Sequence, residues 1–300
     1  MVSRFRRSLS FPNHSLPKTT SHVRSISLPC RSHSHPLIYQ LKDHLNHLKS
    51  WAPAGSKDSK PETRTSDWLC DGLTRLKTVH DYLHDILHLP QTQDSLRRQP
   101  VWIESLLEDF LRFVDVYGIF QTLVFTLKQE HSAAQVAVRR KDESKIEMYA
   151  KVVRKTEKEM SNLVSTLVRC TAGSSSNNFT CNVDAELVEV ILDVKEVTVL
   201  VSTALFSGVS LSFVWKKPSW IGLTLGRKRR VLEKGIQEFK QVGTECFLWG
   251  LRKKGDEELR RVLKRMNELE DCVVKIEMGS ERVFRSLINT RVSLLNVLTK

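Results

Sequence analysis

VWIESLLEDFLRFVDVYGIFQTLVFTLK, residues 101–128, has no alternating strand pattern and no single amphipathic stripe. Its Leu, Val, Ile and Phe residues fall on more than one face of a helix. A helix of that kind needs several neighbours to cover it, so it belongs at the centre of a bundle. Pro100 precedes it, at a position where a first helical residue does not miss its backbone N–H.

The flanking sequence keeps the same period. Leu37, Leu41, Leu45 and Leu48 mark a short amphipathic helix, followed by a polar, proline-containing link over 52–65. Leu69, Leu73, Leu76, Leu83 and Leu87 line a second helix, entered at Ser66-Asp67 and stopped by Pro90. Within 141–170, Ile146, Tyr149, Val153, Thr156, Met160, Leu163 and Leu167 step by three and four, and Glu147 can pair with Lys151 one turn on. A polar segment beginning TAGSSSNN makes 171–182 the clearest internal hinge. Beyond it come helical patterns over 183–215 and 231–251, then a long C-terminal pair. Asp256 is expected to cap the first member, striped by Leu259, Leu263, Met266, Leu269, Val273 and Ile276. Gly279-Ser280 is expected to break or kink the chain before Phe284, Leu287, Ile288, Leu295 and Leu298. No repeat recurs at a fixed solenoid spacing. The expected class is all-α: an antiparallel multi-helix bundle over 37–300 with long coiled-coil-like helices.

Residues 1–36 differ in kind. They are rich in Ser, Arg, His and Pro, and the first acidic residue of the chain is Asp43. Such a composition buries too little apolar surface to offset the entropy of ordering, which predicts a disordered tail. An Arg- and Ser-rich, acid-poor start also suits an organelle transit peptide, so plastid targeting is an alternative. Against it stands a recurring word. RSLSFP (7–12), RSISLP (24–29) and RSHSHP (31–36) each read Arg-Ser-x-Ser-x-Pro. Arg7, Arg24 and Arg31 lie three residues before Ser10, Ser27 and Ser34, the spacing that basic-directed kinases favour. Through Lys42 the tail carries five Arg and two Lys, hence +7. Three phosphates would reduce that to roughly +1 to +2.5. The hexamer also resembles the phosphopeptide read by 14-3-3-type adaptors, in which an Arg cluster grips the phosphate. A dimeric reader would gain by holding two words at once.

The whole chain of 300 residues has a formal net charge of +13, which favours acidic partners, although acidic residues interleave with the basic ones along most helices. Six cysteines include no C-x-x-C, and the start lacks the apolar core of a secretory signal. Reduced thiols in a cytoplasmic compartment are expected.

Val197–Trp215 is a run of nineteen residues without charge. As a helix it would span ~28 Å, close to the ~30 Å hydrocarbon core of a bilayer. Its hydroxyls (Thr198, Ser202, Thr203, Ser207, Ser210, Ser212) suit close packing against other helices better than lipid contact. Lys216 and Lys217 follow it, then Arg227, Lys228, Arg229 and Arg230, a patch that would suit an anionic membrane surface. A buried bundle helix is the first reading and a membrane-associated segment the second.

Chemistry is sparse. His80, His84 and His88 recur every four residues, but no H-E-x-x-H arrangement accompanies them, and His80 falls on its helix's apolar stripe. G-x-S-x-G and the phosphate-binding G-x-x-x-x-G-K-[ST] are absent. No sequence-specific nucleic-acid module is visible. No catalytic, cofactor-binding or metal-ligating residue is assigned, and no enzyme is expected.

HVRSISLPCRSHSHP (22–36), LHDILHLPQTQDSL (83–96), FVDVYGIFQTLV (113–124), AVRRKDESKIE (137–147) and VFRSLINTRVSLLNVLT (283–299) resemble a plant-specific family of unknown biochemical function related to the BYPASS-type developmental proteins. The resemblance implies a helical protein associated with root and shoot development, with no catalytic residues to carry over. The expected function is a non-enzymatic regulatory or scaffold protein that docks partners through a phosphorylatable tail and helix faces. The alternative is a peripheral membrane or trafficking adaptor that uses 197–215 and 227–230 on anionic lipid.

Overall fold

The computed structural model describes residues 35–51, 64–171, 182–209, 235–244 and 255–299, and among them every regular element is a helix. In chain order these are α1 (Pro36–Trp51), α2 (Ser66–Leu87), α3 (Pro90–Arg97), α4 (Pro100–Arg139), α5 (Glu143–Thr171), α6 (Asn182–Val209), α7 (Gln237–Thr244) and α8 (Asp256–Thr299). The all-α bundle class is the one expected.

Local chemistry sets the ends. Thr65 accepts a hydrogen bond from the Trp68 amide at 3.3 Å and caps α2. Pro90 does stop α2, and it also starts the short α3, which the spacing did not reveal; Leu96 fastens α3 to the core. Pro100 is the first residue of α4. The α4–α5 turn closes with the Asp142 amide on the Ala137 carbonyl (2.9 Å) and the Lys141 amide on Val138 (3.1 Å). This is a Schellman arrangement with Lys141, at φ 55°, where glycine is usual. Asp142 then caps α5, accepting from the Lys145 amide at 3.3 Å.

The long helices form a closed ring: α2 packs on α8, α8 on α4, α4 on α5, α5 on α6, and α6 on α2. α1 fills the groove between α2 and α6 through Leu41, Leu45 and Leu48, with Lys42–Glu186 (2.7 Å) and Lys49–Asp193 (2.8 Å) at its rim. α4 is a wall of this ring and not a helix surrounded on all sides. Phe110, Phe113, Tyr117 and Phe120 fill the middle, whereas Ile119 and Phe125 stay about half exposed on the outer face.

Two expectations about the C-terminal segment are corrected. α8 runs unbroken for 44 residues through Gly279-Ser280. Gly279 is there for packing, since a Cβ on it would stand 3.0 Å from Leu73 Cδ1 of α2. Ser280 donates to the Glu277 carbonyl at 2.8 Å and lies fully buried. The buried stripe therefore continues without a slip through Val283, Leu287, Thr290, Leu294 and Val297, while Ile288 lies at the surface. Asp256 stands in the first turn of α8, not before it, where its charge meets the positive end of the helix dipole.

Glycine serves a second close approach. A Cβ at Gly72 would fall 2.3 Å from the Trp51 ring, which stacks on Trp68 with centroids 4.1 Å apart.

Candidate functional site

The four-residue spacing on α2 puts His80, His84 and His88 on one side of the helix, facing α8 at one end and the core at the other. His80 is fully buried. Thr198 of α6 gives its hydroxyl proton to the Val194 carbonyl (2.6 Å), so the 3.0 Å bond between His80 Nε2 and Thr198 Oγ1 is donated by the ring. The proton sits on Nε2, and the buried Nδ1 has no hydrogen-bond partner among the described residues. Burial holds the ring neutral, with its pKa lowered to about 4; the charge of Asp81 opposes this only in part.

A cleft of about 220 Å³ opens between α2 and α8, lined by Lys77, His80, Asp81, His84, Asp85, Ser286 and Asn289. Lys77 pairs with Asp81, and the Ser286 hydroxyl donates to Asp81 Oδ1 at 3.3 Å. Ser293 gives its proton to the Asn289 carbonyl (3.0 Å), so His84 Nδ1–H donates to Ser293 Oγ at 2.9 Å. His88 Nδ1–H donates to the His84 carbonyl at 2.8 Å. The two rings lie 4.3 Å apart.

Other buried polar groups tie helices together across the ring. Tyr117 of α4 bonds Ser202 of α6 at 3.0 Å, and burial pushes its phenol far above the ordinary range. Asp109 of α4 pairs with Lys195 of α6 in the interior. His131 of α4 donates through Nε2 to the Met266 carbonyl of α8 (2.8 Å) and accepts the Tyr149 hydroxyl of α5 at Nδ1 (2.7 Å), joining three helices through one side chain. Burial lowers its pKa, against the opposing pull of the Met266 carbonyl and Glu270. Among the described residues no group of three or more His, Cys, Asp or Glu is placed to hold a metal ion.

Of the uncharged segment, the described part extends to Val209. There Val197, Thr198, Val201, Ser202, Leu205, Phe206 and Val209 are buried in protein. Two of the hydroxyls noted in the sequence, Thr198 and Ser202, bond the buried His80 and Tyr117. Gly208 admits Leu69, whose Cδ1 would lie 2.9 Å from an added Cβ. α4 is the one helix among the described residues long and apolar enough to cross a membrane, and its Phe110, Phe113, Tyr117 and Phe120 line the core of the bundle. The tail positions Arg7, Ser10, Arg24, Ser27, Arg31 and Ser34 lie outside the described residues. So does the basic patch of Lys216, Lys217, Arg227, Lys228, Arg229 and Arg230.

The Asp109–Lys195 pair and the His131 junction were not read from the sequence. Their partners are far apart along the chain, and no local pattern links them. A second groove, of about 320 Å³, lies between α4 and α8 and is lined by Gln121, Thr122, Phe125, Glu277 and Glu281.

A family model described as Protein BPS1 matches residues 72–297. No curated protein and no solved structure gave a match.

Proposed function

The chain belongs to the BPS1 protein family, a BYPASS-related plant family, and on that premise we propose that it is a non-enzymatic regulatory or scaffold protein of root and shoot development. Its tail is the regulated docking element and its helix faces are the fixed one. The observation that carries this reading is the threefold Arg-Ser-x-Ser-x-Pro word at 7–12, 24–29 and 31–36. A low-complexity tail needs no recurring word, whereas a 14-3-3-type phosphopeptide adaptor grips a phosphorylated Ser through an Arg cluster, and the Arg before and the Pro after that Ser both recur in each word. Phosphates on Ser10, Ser27 and Ser34 would supply charge-assisted bonds to an Arg cluster and cut the tail's positive charge by more than half. The family match begins at residue 72 and so leaves the tail outside it. Docking through the tail is thus a proposal about this chain that the family match does not carry. The exposed Ile119 and Phe125 on α4, with Met278 on α8, support a role for helix faces in contacts.

Affinity purification of the full chain from plant tissue, with and without phosphatase, tests the reading. Adaptor capture should be lost on phosphatase treatment and on Ser10, Ser27 and Ser34→Ala together. Capture unchanged by both would overturn it.

A second reading is favoured by the run Arg227, Lys228, Arg229 and Arg230 after Lys216 and Lys217. It places the protein as a peripheral membrane or trafficking adaptor on anionic lipid, with each basic residue near the surface worth roughly 1 kcal/mol. The burial of α6 through Val209 turns that side of the segment to protein, so the patch would make the lipid contact. Salt-sensitive binding to phosphatidylserine vesicles, abolished by neutralising 227–230, is expected of this reading and not of the first.

A further inference from the structure

We propose that His84, on the last turn of α2, and His88, the residue that caps that helix, form a two-histidine site for a divalent transition-metal ion. The proposal stands on tautomers and geometry, independently of the docking reading above. In each ring the Nδ1–H is committed: His84 to Ser293 Oγ at 2.9 Å, His88 to the His84 carbonyl at 2.8 Å. The lone pair of each neutral ring therefore sits on Nε2, and among the described residues neither Nε2 has a hydrogen-bond partner. Residues four apart on a helix stand one above the other. These two rings have come within 4.3 Å, tilted by 54°.

A bond from the second ring nitrogen to a carbonyl or hydroxyl is how proteins fix the tautomer and aim of metal-ligating histidines. Here one such bond comes from α8 and the other from the helix's own backbone. Packing does not account for the pair, because His84 is half-buried and His88 exposed. Asp85, exposed and three residues before His88, adds negative charge one turn away. Two imidazoles suit Cu²⁺, Zn²⁺ or Ni²⁺, whereas Mg²⁺ and Ca²⁺ prefer oxygen donors. With two protein ligands the remaining positions belong to water, which makes an open site. An ion there would staple the last turn of α2, and through Ser293 it would tighten the seam with α8.

The sequence showed the spacing but not the hydrogen bonds that fix the tautomers, so it gave no reason to prefer a ligand pair over a polar face.

The test uses the full chain without a polyhistidine tag, stripped with chelator and titrated with Zn²⁺ and Cu²⁺ by calorimetry. Saturable binding of one ion per chain is expected, with a rise in melting temperature. His84→Ala and His88→Ala should each weaken it by at least about tenfold. Ser293→Ala, which keeps both ligands but frees one ring, should weaken it by about tenfold. His44→Ala/His47→Ala on α1 should leave it unchanged. Because His88 is exposed, H88A keeps the test informative even if H84A disturbs packing. Binding that survives H84A/H88A, that is lost equally in the α1 control, or that never saturates would overturn the proposal.

Discussion

Asp109 on α4 and Lys195 on α6 form an ion pair inside the bundle, with side-chain exposures of 12% and 6%. Arg112 approaches the same carboxylate at 3.7 Å from the surface side. Removing one member of a buried pair strands the other, at a cost of about 3–5 kcal/mol. Asp109→Ala and Lys195→Ala should each lose that much in urea unfolding. Asp109→Leu/Lys195→Met should recover most of it, because apolar replacements of similar volume avoid desolvating two charges. A double variant as unstable as the singles would show that the pair itself supplies the stability.

Acid should weaken the fold through its buried histidines. His80 is neutral when folded, with a pKa near 4 against 6.5 for a free ring, so the unfolded chain binds the additional proton. Stability is complete above about pH 6.5, falls as pH drops toward 4, and levels off below. For His80 alone the loss between pH 7.5 and pH 5 is about 2 kcal/mol. His131, shifted in the same direction, adds to it. His80→Leu should flatten the slope over this window, as read by urea midpoints; an unchanged slope would remove His80 from the account.

Two glycines should respond in opposite ways to alanine. Gly118 lies on α4 with nothing within 4 Å of an added Cβ, so Gly118→Ala should stabilise the protein by about 0.5–1 kcal/mol through helix propensity. Gly72→Ala drives a methyl into the Trp51 ring and should cost about 1–3 kcal/mol. Separating Trp51 from Trp68 would also change the tryptophan emission, which distinguishes this mechanism from a general loss of packing.

Lys141 holds the left-handed position of the α4–α5 turn at φ 55°. Lys141→Gly relieves that strain and should raise stability by a few tenths to about 1 kcal/mol. A loss instead would mean that the Lys141 side chain contributes more than its backbone costs.

The helices that the sequence displays best are those whose buried faces are mostly apolar and keep a strict three-and-four step. Leu41, Leu45 and Leu48 of α1 and the run from Ile146 to Leu167 of α5 are readable because nearly every buried position is hydrophobic, Thr156 being the exception that the period carries. α8 was misread where buried positions are Ser280 and Thr290. Their hydroxyls turn back to the carbonyls of Glu277 and Ser286, which lets a polar residue behave as a small apolar one. The burial of His80 was legible from its place on the Leu stripe, but Thr198, 118 residues away, was not. Asp109 and Lys195, 86 residues apart, gave no sign of each other because each reads as an ordinary surface charge. The pair of rings at His84 and His88 was visible as spacing, whereas the α8 serine that fixes one tautomer was not.

Titration of the purified full chain, phosphorylated at Ser10, Ser27 and Ser34, into a dimeric 14-3-3-type adaptor would test the docking account at its root. Phosphorylated chain should bind at least tenfold more tightly than a chain carrying one phosphoserine, because two words engage one dimer, and the triple Ser→Ala chain should not bind. Equal affinity of the phosphorylated and triple-alanine chains would contradict the account.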